Sequence, residues 1–385
     1  MRETRVVSLV VAATLVTCAT FARPLTPARA IPIFAQRYAL ACATCHTAIP
    51  ELNDVGTQFR NDAYRFPPAV PRHGTTIVAI RYNMEYERDP VSGSRRFSPA
   101  ASIVADADVG NVTAYLHYNL GAAGAPAAPY LGFLAAYDKH TRTLWRAGLW
   151  ELPVPQSPGQ RLDSISTYGY FATSVGQNDL DLNAPRLGIE AERVVGVARI
   201  AATVAFGEFK GAAYGGRPVF TGVRTSAQRP ELGFFGRMPL ARSGIVLDAQ
   251  VLDGRRRTAL PGRAPFVDAY DRIGFGATYR TLHDRLDVSA HQWLGRDDDA
   301  DGARGALDSS GGYARMKYFV TPHVYAAVRY DAAANPFPTR TLLQYAGALV
   351  GKHARIVLER RTNLLGGTPT FGGYLTIAAP WPRGL

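Results

Sequence analysis

Only three cysteines occur in 385 residues, and no apolar run reaches the roughly 20 residues that a membrane-spanning helix needs. Too few cysteines remain for a disulfide-built scaffold, and no helical span is expected. No phosphate-cradling glycine loop and no nucleophile–base pair stands out either. The chain carries a formal charge of +12, yet it has no basic block and no recognisable nucleic-acid module, so nucleic acid is not an expected partner.

What is there begins with a leader. Arg2 and Arg5 precede an apolar run from Val6 to Val16, and Ala28-Arg29-Ala30 supplies small residues around a cleavage point. Residues 1–30 therefore read as a secretory signal peptide. Its removal takes Cys18, four arginines and one glutamate, leaving two cysteines and a net charge of +9.

Those two lie in Cys42-Ala43-Thr44-Cys45-His46. An exported chain uses this spacing for a short disulfide or a redox-active pair, or for covalent attachment of a c-type haem. In the haem case two thiols one turn apart add to the vinyl groups and the adjacent imidazole ligates the iron. A thioredoxin-type pair sits in a βαβ unit, and the flanks show none. The spacing thus predicts one covalently attached haem c, with Cys42 and Cys45 as its attachment points and His46 as metal ligand.

Behind the motif stand Pro50, Leu52, Gly56 and Phe59. The stretch resembles the N-terminal haem segment of the outer-membrane cytochrome-porin fusions, monohaem proteins typified by the ferrous-iron oxidases of iron-oxidising bacteria. In that family CxxCH is followed by a proline four residues after the histidine, a leucine two further on and a Phe-Gly pair; here Val55 stands in place of that phenylalanine. The likeness covers residues 31–70, a small share of the chain. It implies a haem segment fused to an outer-membrane β-barrel over residues 71–385, with aqueous Fe(II) as electron donor and a soluble periplasmic cytochrome as acceptor.

Residues 31–70 are too few to enclose a haem alone, so the barrel must cover it. The downstream pattern has a period of two. Tyr82, Met84 and Tyr86 alternate with Arg81, Asn83 and Glu85; Leu116 and Tyr118 alternate with His117 and Asn119; Ile200, Ala202, Val204 and Phe206 share one face. Each segment has about the ten-residue length of a transmembrane strand. From residue 186 the links alternate short and long, at 194–196, 207–228, 241–242, 253–269, 282–283 and 295–310. Short turns on one rim and long loops on the other distinguish an outer-membrane barrel from a Greek-key sandwich. Five strands before residue 152 and eleven after residue 185 make sixteen. The expected fold is all-β: a transmembrane antiparallel β-barrel of about sixteen strands with a short N-terminal α-helical c-type haem segment. Nineteen tyrosines suit its interfacial girdles.

Residues 152–185, rich in Pro, Gly, Ser and Asn, follow the fifth strand. Sixteen-stranded porins, which this architecture resembles, fold that loop into the lumen, and here it is expected to help cover the haem; an ordinary surface loop or an extra strand pair from "SISTYGYFAT" is the alternative. For the sixth iron ligand no methionine lies in the haem segment, and Met84 and Met316 fall on the apolar face. His117, His291 and His353 fall on polar faces and His73 lies in the linker; His73 and His117 are the leading candidates. Asp297, Asp299, Asp301, Gly302 and Asp308 fit a calcium-loop spacing, against which stands a plain solvated acidic loop. An Fe(II)-gathering role at the barrel mouth is a further option.

The expected whole is an outer-membrane electron conduit of a Gram-negative bacterium, held in outer-membrane lipid, with the haem segment periplasmic or in the lumen. It would oxidise extracellular Fe(II) and pass electrons to a periplasmic cytochrome. Two other classes stay open: a haem-plugged channel, and a haem enzyme or sensor acting on peroxide, nitric oxide or nitrite.

Overall fold

The computed structural model describes residues 34, 37–38, 40, 44–48, 51–62, 64–66, 76–88, 93–122, 127–138, 140–154, 163–208, 224–240, 243–280, 285–303, 305–335, 338–350 and 354–380. Two short paired strands, β1 (His46–Ala48) and β2 (Glu51–Leu52), and one helix, α1 (Asp54–Asn61), come first. Five long strands follow: β3 (Thr76–Arg88), β4 (Arg95–Val109), β5 (Val112–Ala122), β6 (Ala128–Asp138) and β7 (Thr143–Trp150). After residue 185 come β8 (Arg186–Val195), β9 (Ala198–Glu208), β10 (Arg224–Leu240), β11 (Ile245–Ala259), β12 (Phe266–Arg280), β13 (Leu286–Asp297), β14 (Leu307–Thr321), β15 (Val324–Ala334), β16 (Pro338–Val350), β17 (Ala354–Asn363) and β18 (Thr370–Pro380).

Strands β3 to β18 form a closed antiparallel barrel of sixteen, each hydrogen-bonded to its neighbour in sequence, and β18 returns to β3 with Leu375 opposite Met84. Closure leaves no strand edge to be satisfied by solvent, the condition for a β-structure in lipid. The expected division into five and eleven strands holds.

Alternation decides which way each side chain points. On β9, Ile200, Val204 and Phe206 are exposed while Ala201, Thr203 and Ala205 between them are buried. Tyr137, Trp145, Tyr279 and Tyr318 are exposed toward one rim, and Tyr86, Phe97, Tyr330 and Phe371 toward the other. Two aromatic girdles around a belt of bare aliphatics are the surface of a barrel whose outer solvent is hydrocarbon. Met84 and Met316 lie on this outward face, Met316 being exposed.

Strands overrun the links read from the sequence. β11 runs to Ala259 and β12 starts at Phe266, where alternation ended at residues 253 and 269. Above the hydrocarbon belt both faces are wet, so outward positions such as Arg255 and Arg257 are exposed cations and the apolar signal stops before the hydrogen-bonded ladder does. The N-terminal segment differs as well. Among the described residues Phe34, Arg37 and Tyr38 are helical as well as α1, and His46 lies on β1 rather than on a helix.

Candidate functional site

His46 and Cys45 are both half-buried; Cys42 lies outside the described residues. Pairing of His46 with Leu52 makes a tight hairpin, which brings Nδ1 of His46 to 3.2 Å from the carbonyl oxygen of Glu51. A carbonyl only accepts, so Nδ1 carries the proton and the lone pair is on Nε2. Metal-bound histidines are oriented in this way.

Asn53 ties the motif to α1. Its side-chain oxygen caps the helix by accepting from the Gly56 amide at 2.9 Å, its side-chain amide donates to Thr44 O at 3.1 Å, and its backbone N–H donates to Cys45 O at 3.0 Å. Gly56 sits against the same carbonyl so closely that a Cβ there would lie 2.0 Å from Cys45 O. Burial pushes the Cys45 thiol up to about 11. The Cys45 sulfur and the His46 imidazole, held beside one another at the start of β1, are of the kinds that a c-type haem uses.

The segment lies in the short-turn half of the lumen. Tyr64 stacks on Tyr115 of β5, ring centroids 4.5 Å apart, and Tyr115 on Phe133 of β6 at 5.2 Å. Arg37 pairs with Asp106 and, at 3.3 Å, with Asp108. Arg65 donates to Asn111 O at 2.7 Å, and Arg199 of β9 reaches Asp62 at 3.3 Å and also pairs with Glu192. Burial raises the Asp62 pKa even though Arg199 opposes it. On the far wall Glu51 pairs with Arg315 at 2.8 Å and with Lys317.

The segment after β7 fills the lumen from the other end. Asp163 accepts from Arg315 and Lys317, each at 3.2 Å, and from Tyr345 at 3.1 Å. Glu359 takes the Ile165 amide and Asp331 the Gly169 amide, while Asn178 donates to Asp268 and Asp297. Apart from a bridge between Val175 and Asn178 it forms no strand pair among the described residues. The inserted loop is thus the porin arrangement expected, and it meets the N-terminal segment at Arg315 and Lys317.

Of the candidate sixth ligands, His117 faces the lumen two residues beyond Tyr115, edge-on to Tyr130 at 5.0 Å. His291 lies flat against β12: Nε2 is 3.3 Å from Thr278 Oγ1, and a Cβ on Gly276 would lie 2.1 Å from Nδ1. Both its nitrogens point into the wall. His73 and His353 lie outside the described residues. In the acidic loop, the Asp297 carboxylate is held by Arg272 at 2.9 Å and by Asn178, and Asp308 faces Arg296 at 3.7 Å. Among the described residues no group of three or more His, Cys, Asp or Glu converges as a metal site.

With this geometry the chain resembles solved porins. Its fold is that of a porin-type barrel. The anion-selective porin from Comamonas acidovorans superposes with a TM-score of 0.56 at 13% identity, over 80% of this chain and 99% of that one. The outer membrane channel DcaP of Acinetobacter baumannii gives 0.52 at 11% identity, over 79% and 96%. Outer-membrane expressed OmpT of Vibrio cholerae gives 0.53 at 10%, over 80% and 99%. Neither a family model nor a curated protein matches the sequence.

Sequence reasoning found the motif, Gly56 and the loop, but not Glu51, Asp163, Arg315 or Lys317. Lumen-facing charges are common to every strand of such a barrel, and nothing in their spacing singles these out.

Proposed function

We propose that this protein is an outer-membrane monohaem cytochrome built into a porin-type barrel, which carries electrons from the cell exterior to the periplasm. Haem c, bound through Cys42 and Cys45 with His46 as axial ligand, supplies a one-electron redox centre. The observation that carries the reading is the His46 Nδ1 contact to Glu51 O, made inside a segment packed against the lumen wall. Glu51 O fixes the tautomer of His46, and Tyr64, Tyr115 and the inserted loop pack within the lumen. The leader, the lipid-facing belt and the likeness to porins support the outer membrane of a Gram-negative bacterium as its place. The donor on this reading is extracellular Fe(II), which loses one electron, and the acceptor is a soluble periplasmic cytochrome.

The chain, produced in a host that attaches c-type haem and purified in detergent, is expected to carry one haem per polypeptide and to be reduced on rapid mixing with Fe(II). A chain that folds without haem while Cys42 and Cys45 are intact overturns the assignment. High-spin iron that ignores Fe(II) but binds carbon monoxide or peroxide moves it to a ligand-binding enzyme.

A further inference from the structure

Glu51 does two things at once. Its backbone oxygen accepts from His46 Nδ1 at 3.2 Å, and its side chain is gripped by Arg315 at 2.8 Å and by Lys317. Both cations are on β14, two residues apart and so on one face of the strand; Lys317 is fully buried and Arg315 nearly so. Asp163 of the inserted loop faces the same pair at 3.2 Å. Asp287 pairs with Arg315 and, at 3.0 Å, with Arg280. Three carboxylates therefore balance three cations, in a place where an unpaired charge is costly.

We propose that Arg315 and Lys317 are positioning residues for His46, acting through Glu51: the barrel wall sets the tilt of the imidazole and the strength of its hydrogen bond by holding the β1–β2 hairpin. This rests on the haem reading above. A hairpin of five residues between His46 and Leu52, with one two-strand pairing, has no core of its own to fix a ring plane. The grip on the Glu51 carboxylate anchors the residue whose carbonyl meets His46. Partners of this kind tune the basicity of a metal-ligating histidine and the potential of its iron.

The test uses the full chain with haem attached and compares Lys317→Met, Glu51→Gln and the double variant. Three quantities are read: covalent haem per chain, the electron paramagnetic resonance g-values of the oxidised protein, and the midpoint potential. Haem content is expected to stay at the parental level, because the thioethers do not involve β14. Each single variant is expected to shift the g-values and the potential, the double no further than either single, and Lys317→Arg to restore the parental spectrum. Unchanged g-values with opposite potential shifts that cancel in the double variant would reveal a plain field effect and overturn the proposal. So would no shift at all. If Lys317→Met does not form the heat-modifiable barrel, Glu51→Gln against the parent decides by the same spectrum. A parent chain without covalent haem fails the proposed function instead, which separates the two outcomes.

Discussion

Gly56 is where the CxxCH motif, the haem site on the proposed reading, and the helix behind it touch. With a Cβ position 2.0 Å from Cys45 O, any larger residue must push α1 off the motif or turn the Cys45 carbonyl away from the Asn53 amide it accepts from. Gly56→Ala is therefore expected to cut covalent haem content by more than half, measured by absorbance per chain. The barrel should still migrate as a folded band, since its closure does not involve α1. Val55, one position earlier, is 44% exposed; Val55→Ala should leave haem content unchanged. The contrast also explains the departure from the resembling family's Phe-Gly pair: at an exposed position an aliphatic can stand in for an aromatic, whereas the glycine is fixed by a carbonyl. That glycine was legible only through the family resemblance. Its reason was not, because nothing in the sequence says that Asn53 brings the helix end back onto the motif.

Two elements fill the lumen, and each is held by charges that respond differently. For α1 the telling residue is Asp62 at its C-terminal end, whose pKa is raised by burial despite Arg199. A carboxyl raised above its unfolded value of about 3.9 contributes stability that is fully present below that value and is lost as pH rises through the raised one. Docking of α1 should thus tighten on acidification. Hydrogen exchange of its amides, corrected for intrinsic rate, is expected to show more protection at pH 4 than at pH 7, and Asp62→Asn to flatten the dependence. The inserted loop is held through its own Asp163, which accepts from Arg315 of β14, and by Glu359 of β17 and Asp331 of β15. Replacing residues 164–172 by a short Gly-Ser link should open a path through the barrel, raising single-channel conductance in planar bilayers well above that of the parent. Equal conductance would place the constriction in the N-terminal segment alone. The loop's existence was legible as a polar stretch too long for a strand link. Its course was not, because the carboxylates that receive its amides, Glu359 and Asp331, look like any other lumen-facing polar residue until closure brings β15 and β17 beneath it.

At the scale of the molecule, strand number and facing were legible because two solvents act on one ladder. Hydrocarbon outside and a polar lumen inside force the period of two seen along Ile200, Ala202, Val204 and Phe206. Where hydrocarbon ends the signal ends, so β11 and β12 run past the point at which Arg255 and Arg257 could be read as strand. The same argument makes the outer solvent measurable. Val204 lies inside an outward apolar row, exposed, with nothing but lipid or water to meet. On a protein in water, an arginine at such an exposed position changes stability by no more than about 0.5 kcal/mol. On a barrel in a bilayer it costs about 2–4 kcal/mol near the midplane, because no partner on β8 or β10 can neutralise it: Ile189 and Leu232 flank the same face and are themselves exposed. Val204→Arg should therefore lower the denaturant midpoint of the barrel refolded in lipid vesicles by an amount equivalent to about 2–4 kcal/mol. An unchanged midpoint would mean that this face meets water, and the membrane setting of the whole molecule would fall with it.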